Sequence, residues 1–410
     1  MAEKKNKRRV VVTGVGIVSS IGIGKDEFWK NLIAGKSGIS TVSSFDTSNY
    51  DTHIGGEIKN FKPEKYFDKN EINKLGRATQ FAIAATKEAI NNAKLDLWKY
   101  GGEKIGVAIG TTMGEGQVIE EIDSKWVRVD KEEVSTDLIA LYPGNVLSKN
   151  ISLKFRLKGP SLTIPTACAA GNYAIGYSFD QIKAGKRKIM ISGGTDSFSR
   201  IAFTGFNRLF ATAKEKCRPF DKNRDGMVVG EGAGILILED LELALERKAK
   251  IYAEILGYGL SCNAFHMTAP SVEGIKKVMI KAMKEADITP EDVDYISAHG
   301  TATPSNDKTE CQAVKEVFGK RYKKIPVSSI KSMLGHTMGA ASAIEAISCC
   351  LAIKDGVIPP TINYETPDPE CDIDCIPNVA KKKKIKIALN NSLAFGGNNA
   401  VVALREWHHE

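Results

Sequence analysis

Short apolar runs alternate with amphipathic stretches along most of the chain. Val10-Val11-Val12-Thr13-Gly14-Val15-Gly16 predicts a strand running into a buried glycine turn, and Phe28, Leu32 and Ile33 mark an amphipathic stretch behind it. Ile105–Gly110 predicts a second strand, Ile175, Phe179 and Ile182 one face of a helix, and 188–194 a further strand. The second half continues the alternation: Ile275, Val278, Met279, Ala282 and Met283 fall at helical spacing, and 293–298 predicts a strand. Such alternation predicts a layered α/β architecture. Gly110-Thr111-Thr112 ends one predicted strand and His299-Gly300-Thr301 another, and each is followed by a small-residue helix start, at Cys168-Ala169-Ala170-Gly171 and at 335–341. We therefore expect a duplicated fold whose halves share one rigid body, with no low-complexity linker between them.

Composition narrows the function classes. The 410 residues are 42% hydrophobic and 26% charged, enough for one large or two ordinary cores. A net charge of +8 is small for this length, which argues against a dedicated nucleic-acid binder. The apolar runs fall far short of the roughly 20 residues a bilayer span needs. The basic first nine residues lead into a strand pattern instead of a signal-peptide core, so a cytoplasmic location is expected. Lys381-Lys382-Lys383-Lys384 reads as a solvated lead-in to a strand.

Several superficial motifs fail on inspection. Ser19 stands where a dinucleotide fingerprint needs its third glycine, and no ribose-binding acid follows. Asp221, Asn223, Asp225 and Gly226 imitate a calcium loop, but position 12 is Gly232 and a strand pattern follows. Cys349, Cys350, Cys371 and Cys375 lack zinc spacing. No metal and no cofactor is expected.

Eight scattered cysteines favour reduced thiols, and six histidines leave few imidazole candidates. Cys168 sits in Pro165-Thr166-Ala167-Cys168-Ala169-Ala170-Gly171, at the start of a helix expected to run to about Gly185. Unpaired N–H groups and the helix dipole stabilise a thiolate there, and the small neighbours leave room for an acyl group. His299 follows a predicted strand and precedes a glycine, and His336 opens an alanine-rich helix. These residues make a set of one nucleophile and two imidazoles.

The three motifs in this order resemble the β-ketoacyl-acyl-carrier-protein synthases, closest to the type II elongating condensing enzyme. The likeness runs over nearly the whole chain, through Phe45-Asp46-Thr47-Ser48, Arg218-Pro219-Phe220-Asp221, Gly230-Glu231-Gly232-Ala233-Gly234 and Asn391-Ser392-Leu393-Ala394-Phe395-Gly396-Gly397. The resemblance implies a thiolase-like five-layer αβαβα fold, with a half at 1–255 carrying Cys168 and a half at 256–410 carrying His299 and His336. It also implies a homodimer and an acidic acyl carrier protein (ACP) as partner. By resemblance, Cys168 takes the acyl chain, the N–H groups of Cys168 and Phe395 form an oxyanion hole, and His299 and His336 donate through Nε2 to the malonyl thioester oxygen. Lys331 matches a lysine beside the second histidine, with Glu310 as its acidic partner. Phe395 matches the gate, Met113 borders the acyl pocket, Thr301, Thr303 and Thr268 fall where substrate is held, and Lys69, Lys74, Arg77 and Arg208 fall where ACP docks. Ala394, Asn398 and Asn263 depart from the usual gate residues, and 110–115 departs from the usual pocket segment, as in a paralogue specialised for an unusual lipid or polyene. The non-catalytic alternative is a chain-length-factor-like partner subunit, a type that usually lacks the nucleophile.

Overall fold

The computed structural model describes residues 8–128 and 134–408; the basic residues 1–7 and His409 lie outside this range. In the first half five strands, β1 (Val10–Ser19), β2 (Ile105–Gly110), β3 (Ser161–Ile164), β4 (Ile189–Asp196) and β5 (Gly232–Asp240), pair in the order β3-β2-β4-β5-β1. The second half contributes β6 (Ala253–Cys262), β7 (Tyr295–Ser297), β8 (Val327–Ser328), β9 (Ile387–Leu393) and β10 (Asn398–Arg405), in the order β8-β7-β9-β10-β6. The two orders are the same with five added to each number. The senses match too: the first three strands of each order run parallel, and the remaining pairs are antiparallel. Val10–Val12 of β1 pair with Ala253–Ile255 of β6 and join the halves.

The helices repeat as well. In the first half these are α1 (Arg77–Ala93), α2 (Val146–Phe155) and α3 (Ala170–Lys183), and in the second α4 (Val272–Glu285), α5 (Pro304–Phe318) and α6 (Ala341–Asp355). α1 and α2 cover one outer face and α4 and α5 the other, while α3 and α6 lie between the two halves of the sheet. This gives the expected five layers, α, β, α, β, α. The middle position explains the composition of α6, whose residues Ala341–Ile353 are all buried. A helix that is apolar on every side must be enclosed on every side.

Two boundaries differ from the sequence reading. β1 does not turn at Gly14-Val15-Gly16 but continues, fully buried, to Ser19. Its glycines serve close packing, since a Cβ on Gly16 would lie 1.9 Å from the Ala85 carbonyl oxygen of α1. A division at 255/256 would fall inside β6; the topological repeat restarts between Asp240 and Ala253. The calcium-like segment is a turn in which Asp221 accepts backbone N–H groups from Asn223, Glu365 and Thr366. Cys349 and Cys350 lie in α6.

Candidate active site

Each half places chemistry on the turn that leads into its middle helix. In the first half, Ala167 takes a left-handed φ of 50° and the turn Ala167–Ala169 leads into α3, placing Cys168 between them. In the second half Met338 takes a φ of 52° and the turn Met338–Ala340 leads into α6, with His336 two residues upstream. Left-handed backbone is unfavourable for residues with a Cβ, so both turns are held by their surroundings. Ser392 of β9 donates to the Cys168 carbonyl at 2.9 Å, tying the nucleophile turn to the other half.

His299 follows β7, and its ring stands nearly perpendicular to that of His336, with centroids 5.4 Å apart. The backbone N–H groups of His299 and Gly300 both donate to Glu310 at 2.9 Å. Lys331 donates to the His299 carbonyl at 2.7 Å, approaches its Nδ1 at 3.5 Å, and pairs with Glu345 of α6. A lysine ammonium group carries three donors and no acceptor, so the His299 Nδ1 beside it is the accepting nitrogen. Nδ1 of His336 accepts the Met338 N–H at 3.2 Å, which leaves Nε2 as the protonated nitrogen, and that atom is buried without a partner. Both Nδ1 atoms therefore act as acceptors and both Nε2–H groups as donors. Burial, and behind it the Lys331 charge, hold both imidazoles well below the ordinary histidine range, so they stay neutral.

These groups open into a cavity of about 330 Å³ lined by Cys168, His299, His336, Thr301, Thr303 and Phe395, and reached also by Thr268. The Thr301 and Thr303 hydroxyls are 2.9 Å apart. Phe395 faces Phe206 with ring centroids 5.8 Å apart. Its loop is tied down by Gly396 N–H to the Met267 carbonyl at 2.7 Å and by Asn399 Nδ2 to Asn263 Oδ1 at 2.7 Å. The backbone N–H groups of Cys168 and Phe395 lie near the Cys168 sulfur and favour its anion. The site thus offers a nucleophile beside one pair of N–H donors, and a second pair of donors on the two imidazoles. A carbonyl oxygen gaining negative charge can be held at either pair.

Five expectations need correction. The acidic partner of Lys331 is Glu345, whereas Glu310 is spent on the backbone before and after His299 and on Asn391. Lys331 holds His299, the first histidine, in place of the second. Arg77 is not available as a docking cation: it forks onto buried Glu231 at 2.9 and 2.7 Å and stacks over Phe81. The Cys168 thiol is not lowered by its helix terminus; burial pushes it up to about 11, against the pull of Lys331 and the two N–H groups. Met113 is half-buried and is not among the residues lining the cavity; its N–H donates to Asp196 at 2.9 Å. Lys69, Lys74 and Arg208 are exposed, and Arg208 ends the helix that supplies Phe206 to the cavity wall. Sequence reasoning missed Glu345 and Asp196. A lone acid among the apolar residues of α6 was the available signal for Glu345.

A thiolase-like fold with a buried cysteine facing two neutral imidazole donors defines the carbon–carbon condensing class of acyltransferases. Comparison with known proteins agrees. The family description "Beta-ketoacyl synthase, N-terminal domain" matches residues 7–244 and "Beta-ketoacyl synthase, C-terminal domain" matches 252–365. The chain is 41% identical to the 3-oxoacyl-[acyl-carrier-protein] synthase 2 of Synechocystis sp., over 98% of this chain and 99% of that one. With the enzyme of the same name from Staphylococcus aureus strain COL it shares 42% identity at the same coverage. Among solved structures, "The ishigamide ketosynthase/chain length factor" superposes with a TM-score of 0.95 at 43% identity, over 98% of this chain and all of that one. A type II PKS ketosynthase bound to its acyl-carrier protein gives 0.91 at 35%, with the same coverage. The chain belongs to the β-ketoacyl synthase family.

Proposed function

We propose that this chain elongates acyl groups carried by ACP, with Cys168 as nucleophile and His299 and His336 as the donors that hold the malonyl enolate. The observation that carries the reading is the pair of neutral imidazoles whose Nδ1 atoms are occupied and whose Nε2–H groups are left to donate beside Cys168. The Cys168 sulfur attacks the acyl thioester carbonyl, the oxyanion rests on the N–H groups of Cys168 and Phe395, and the carrier thiol leaves with the cysteine proton. Malonyl thioester then loses its carboxylate as CO2. The electron pair left behind forms an enolate whose oxygen accepts from His299 and His336. Its carbon attacks the acyl-Cys168 carbonyl, the carbon–sulfur bond breaks, and β-ketoacyl-ACP leaves while the sulfur regains a proton. No metal or cofactor takes part. Lys331, fixed by Glu345, holds His299; Glu310 fixes the same backbone; Thr301, Thr303 and Thr268 contact the pantetheine arm; Phe395 gates the sulfur.

ACP is acidic and meets the exposed cations Lys69, Lys74 and Arg208, the last at the end of the helix that supplies Phe206 to the cavity wall. The enzyme works as a cytoplasmic homodimer. The support for this is β3, which ends the strand order and exposes Ser161 and Leu162, so a second copy can continue the ladder. The half ending near Asp240 supplies the nucleophile and the half beginning at Ala253 supplies the two histidines. A condensation assay with Cys168→Ala tests the proposal: complete loss of β-ketoacyl product is expected, and retained condensation overturns it in favour of a partner-subunit role.

A further inference from the structure

Asp196, the last residue of β4, is fully buried and accepts four hydrogen bonds. Oδ1 receives the Thr111 hydroxyl at 2.7 Å and the Met113 N–H at 2.9 Å; Oδ2 receives the Thr112 N–H at 2.7 Å and the Gly339 N–H at 2.6 Å. Three of these donors belong to the 111–113 loop and the fourth to the turn beside His336. Three of the four partners are backbone N–H groups, which can only donate, and with the Thr111 hydroxyl donating as well they match the lone pairs of a carboxylate. The burial of that charge is costly, and its pKa rises to about 6 despite the donors. A group kept charged under such conditions is there for the geometry it imposes.

The two tied segments touch directly. A Cβ on Gly339 would lie 2.4 Å from Thr111 Cα and 2.6 Å from Thr112 N, so the loop and the turn have no room to move independently. The residue before Gly339, left-handed Met338, donates the N–H that fixes Nδ1 of His336. The chain of contacts therefore runs from the 111–113 loop, through Asp196, to the nitrogen that sets which His336 nitrogen donates.

We propose that Asp196 is a positioning residue that locks the 111–113 loop to the His336 turn, so that His336 keeps its Nε2–H aimed into the cavity. This rests on the condensing reading above and adds to it a determinant of the decarboxylating half-reaction in particular. Cys168 receives its own support from Ser392 and from α3; the Asp196 carboxylate reaches it only as a charge that raises the thiol, so removing that charge should not slow acylation.

Asp196→Asn replaces one acceptor oxygen by an amide NH2 and sets two donors against each other. The test follows the two half-reactions separately, by transfer of a labelled acyl group from acyl-ACP to the enzyme and by CO2 release from malonyl-ACP. Asp196→Asn is expected to slow CO2 release at least tenfold at unchanged KM for malonyl-ACP, while acyl transfer stays within about threefold of the wild type. Thr111→Val, which removes one donor and keeps the shape, should act in the same direction with a smaller loss, and serves if the Asn variant does not fold. Equal losses in both half-reactions, or wild-type CO2 release from the folded variants, would overturn the inference. Failure of the wild-type enzyme itself to accept the acyl group would sink the condensing reading instead.

Discussion

The Cys168 turn and the His336 turn are the same piece of backbone used twice. Each follows the short strand at the end of its half's strand order, passes through a left-handed residue, makes one tight turn and enters a helix of the middle layer. The position filled by Cys168 in one turn is filled by Gly339 in the other. That difference, together with His336 where the first turn has Pro165, divides the labour: the first turn puts a sulfur into the cavity, and the second gives its N–H to Asp196 and leaves the chemistry to His336 upstream. Duplication supplied the frame, and the side chains made it two sites with opposite electrical tasks. One delivers electrons to a carbonyl and the other collects the charge that decarboxylation leaves.

The sharpest break in this comparison is to disable only the second turn. His336→Ala should lower CO2 release from malonyl-ACP by about 10²–10³-fold, the usual effect of losing one oxyanion donor, while Cys168 acylation persists. Loss of acylation as well would mean that the two turns do not divide the work. A second test strikes the pair beneath the imidazoles. Glu345→Ala leaves the Lys331 ammonium buried without its carboxylate and should destabilise the fold by about 3–5 kcal/mol, read by denaturant unfolding. Glu345→Gln, which keeps an acceptor oxygen, should lose less; equal losses would show that packing and not charge matters there.

The third test concerns the resting state of the first turn. With its thiol pushed up to about 11, free Cys168 is protonated at neutral pH, and the groups facing it are Lys331, Asp196 and the neutral rings of His299 and His336. Raising the pH makes thiolate, so alkylation of Cys168 by iodoacetamide should climb about tenfold per unit between pH 8 and 10. A plateau already reached at pH 7 would show that the helix terminus wins after all. The smallest effect lies outside both turns. Arg208→Glu should raise KM for ACP substrates a few-fold at low salt, with kcat intact and the difference fading at high salt.

Most of the reacting side chains were legible in the sequence, because Cys168, His299 and His336 each sit in a local context of glycine, alanine and strand pattern that says where the chain turns. The duplication was legible from the same local echoes. Illegible were the partnerships between positions far apart in the chain, such as Lys331 with Glu345 in place of Glu310, or Asp196 with Gly339. Spacing along the chain places Glu310 at a helix position near His299, but only packing decides that its carboxylate meets N–H groups and not the lysine. Gly14 and Gly16 misled for a related reason: a glycine that lets a helix lie close looks the same in sequence as one that lets a strand turn. The thiol was misjudged because local sequence exposes the helix terminus and conceals the burial that outweighs it.

The central claim is that one of eight thiols carries the acyl chain between two half-reactions. Mass spectrometry of the protease-digested enzyme after exposure to acyl-ACP tests it most directly. An acyl thioester is expected on the peptide containing Cys168 and on no other cysteine, and it should disappear as β-ketoacyl-ACP forms once malonyl-ACP is added. An adduct on a different cysteine, or an acyl-Cys168 that malonyl-ACP does not discharge, would contradict it.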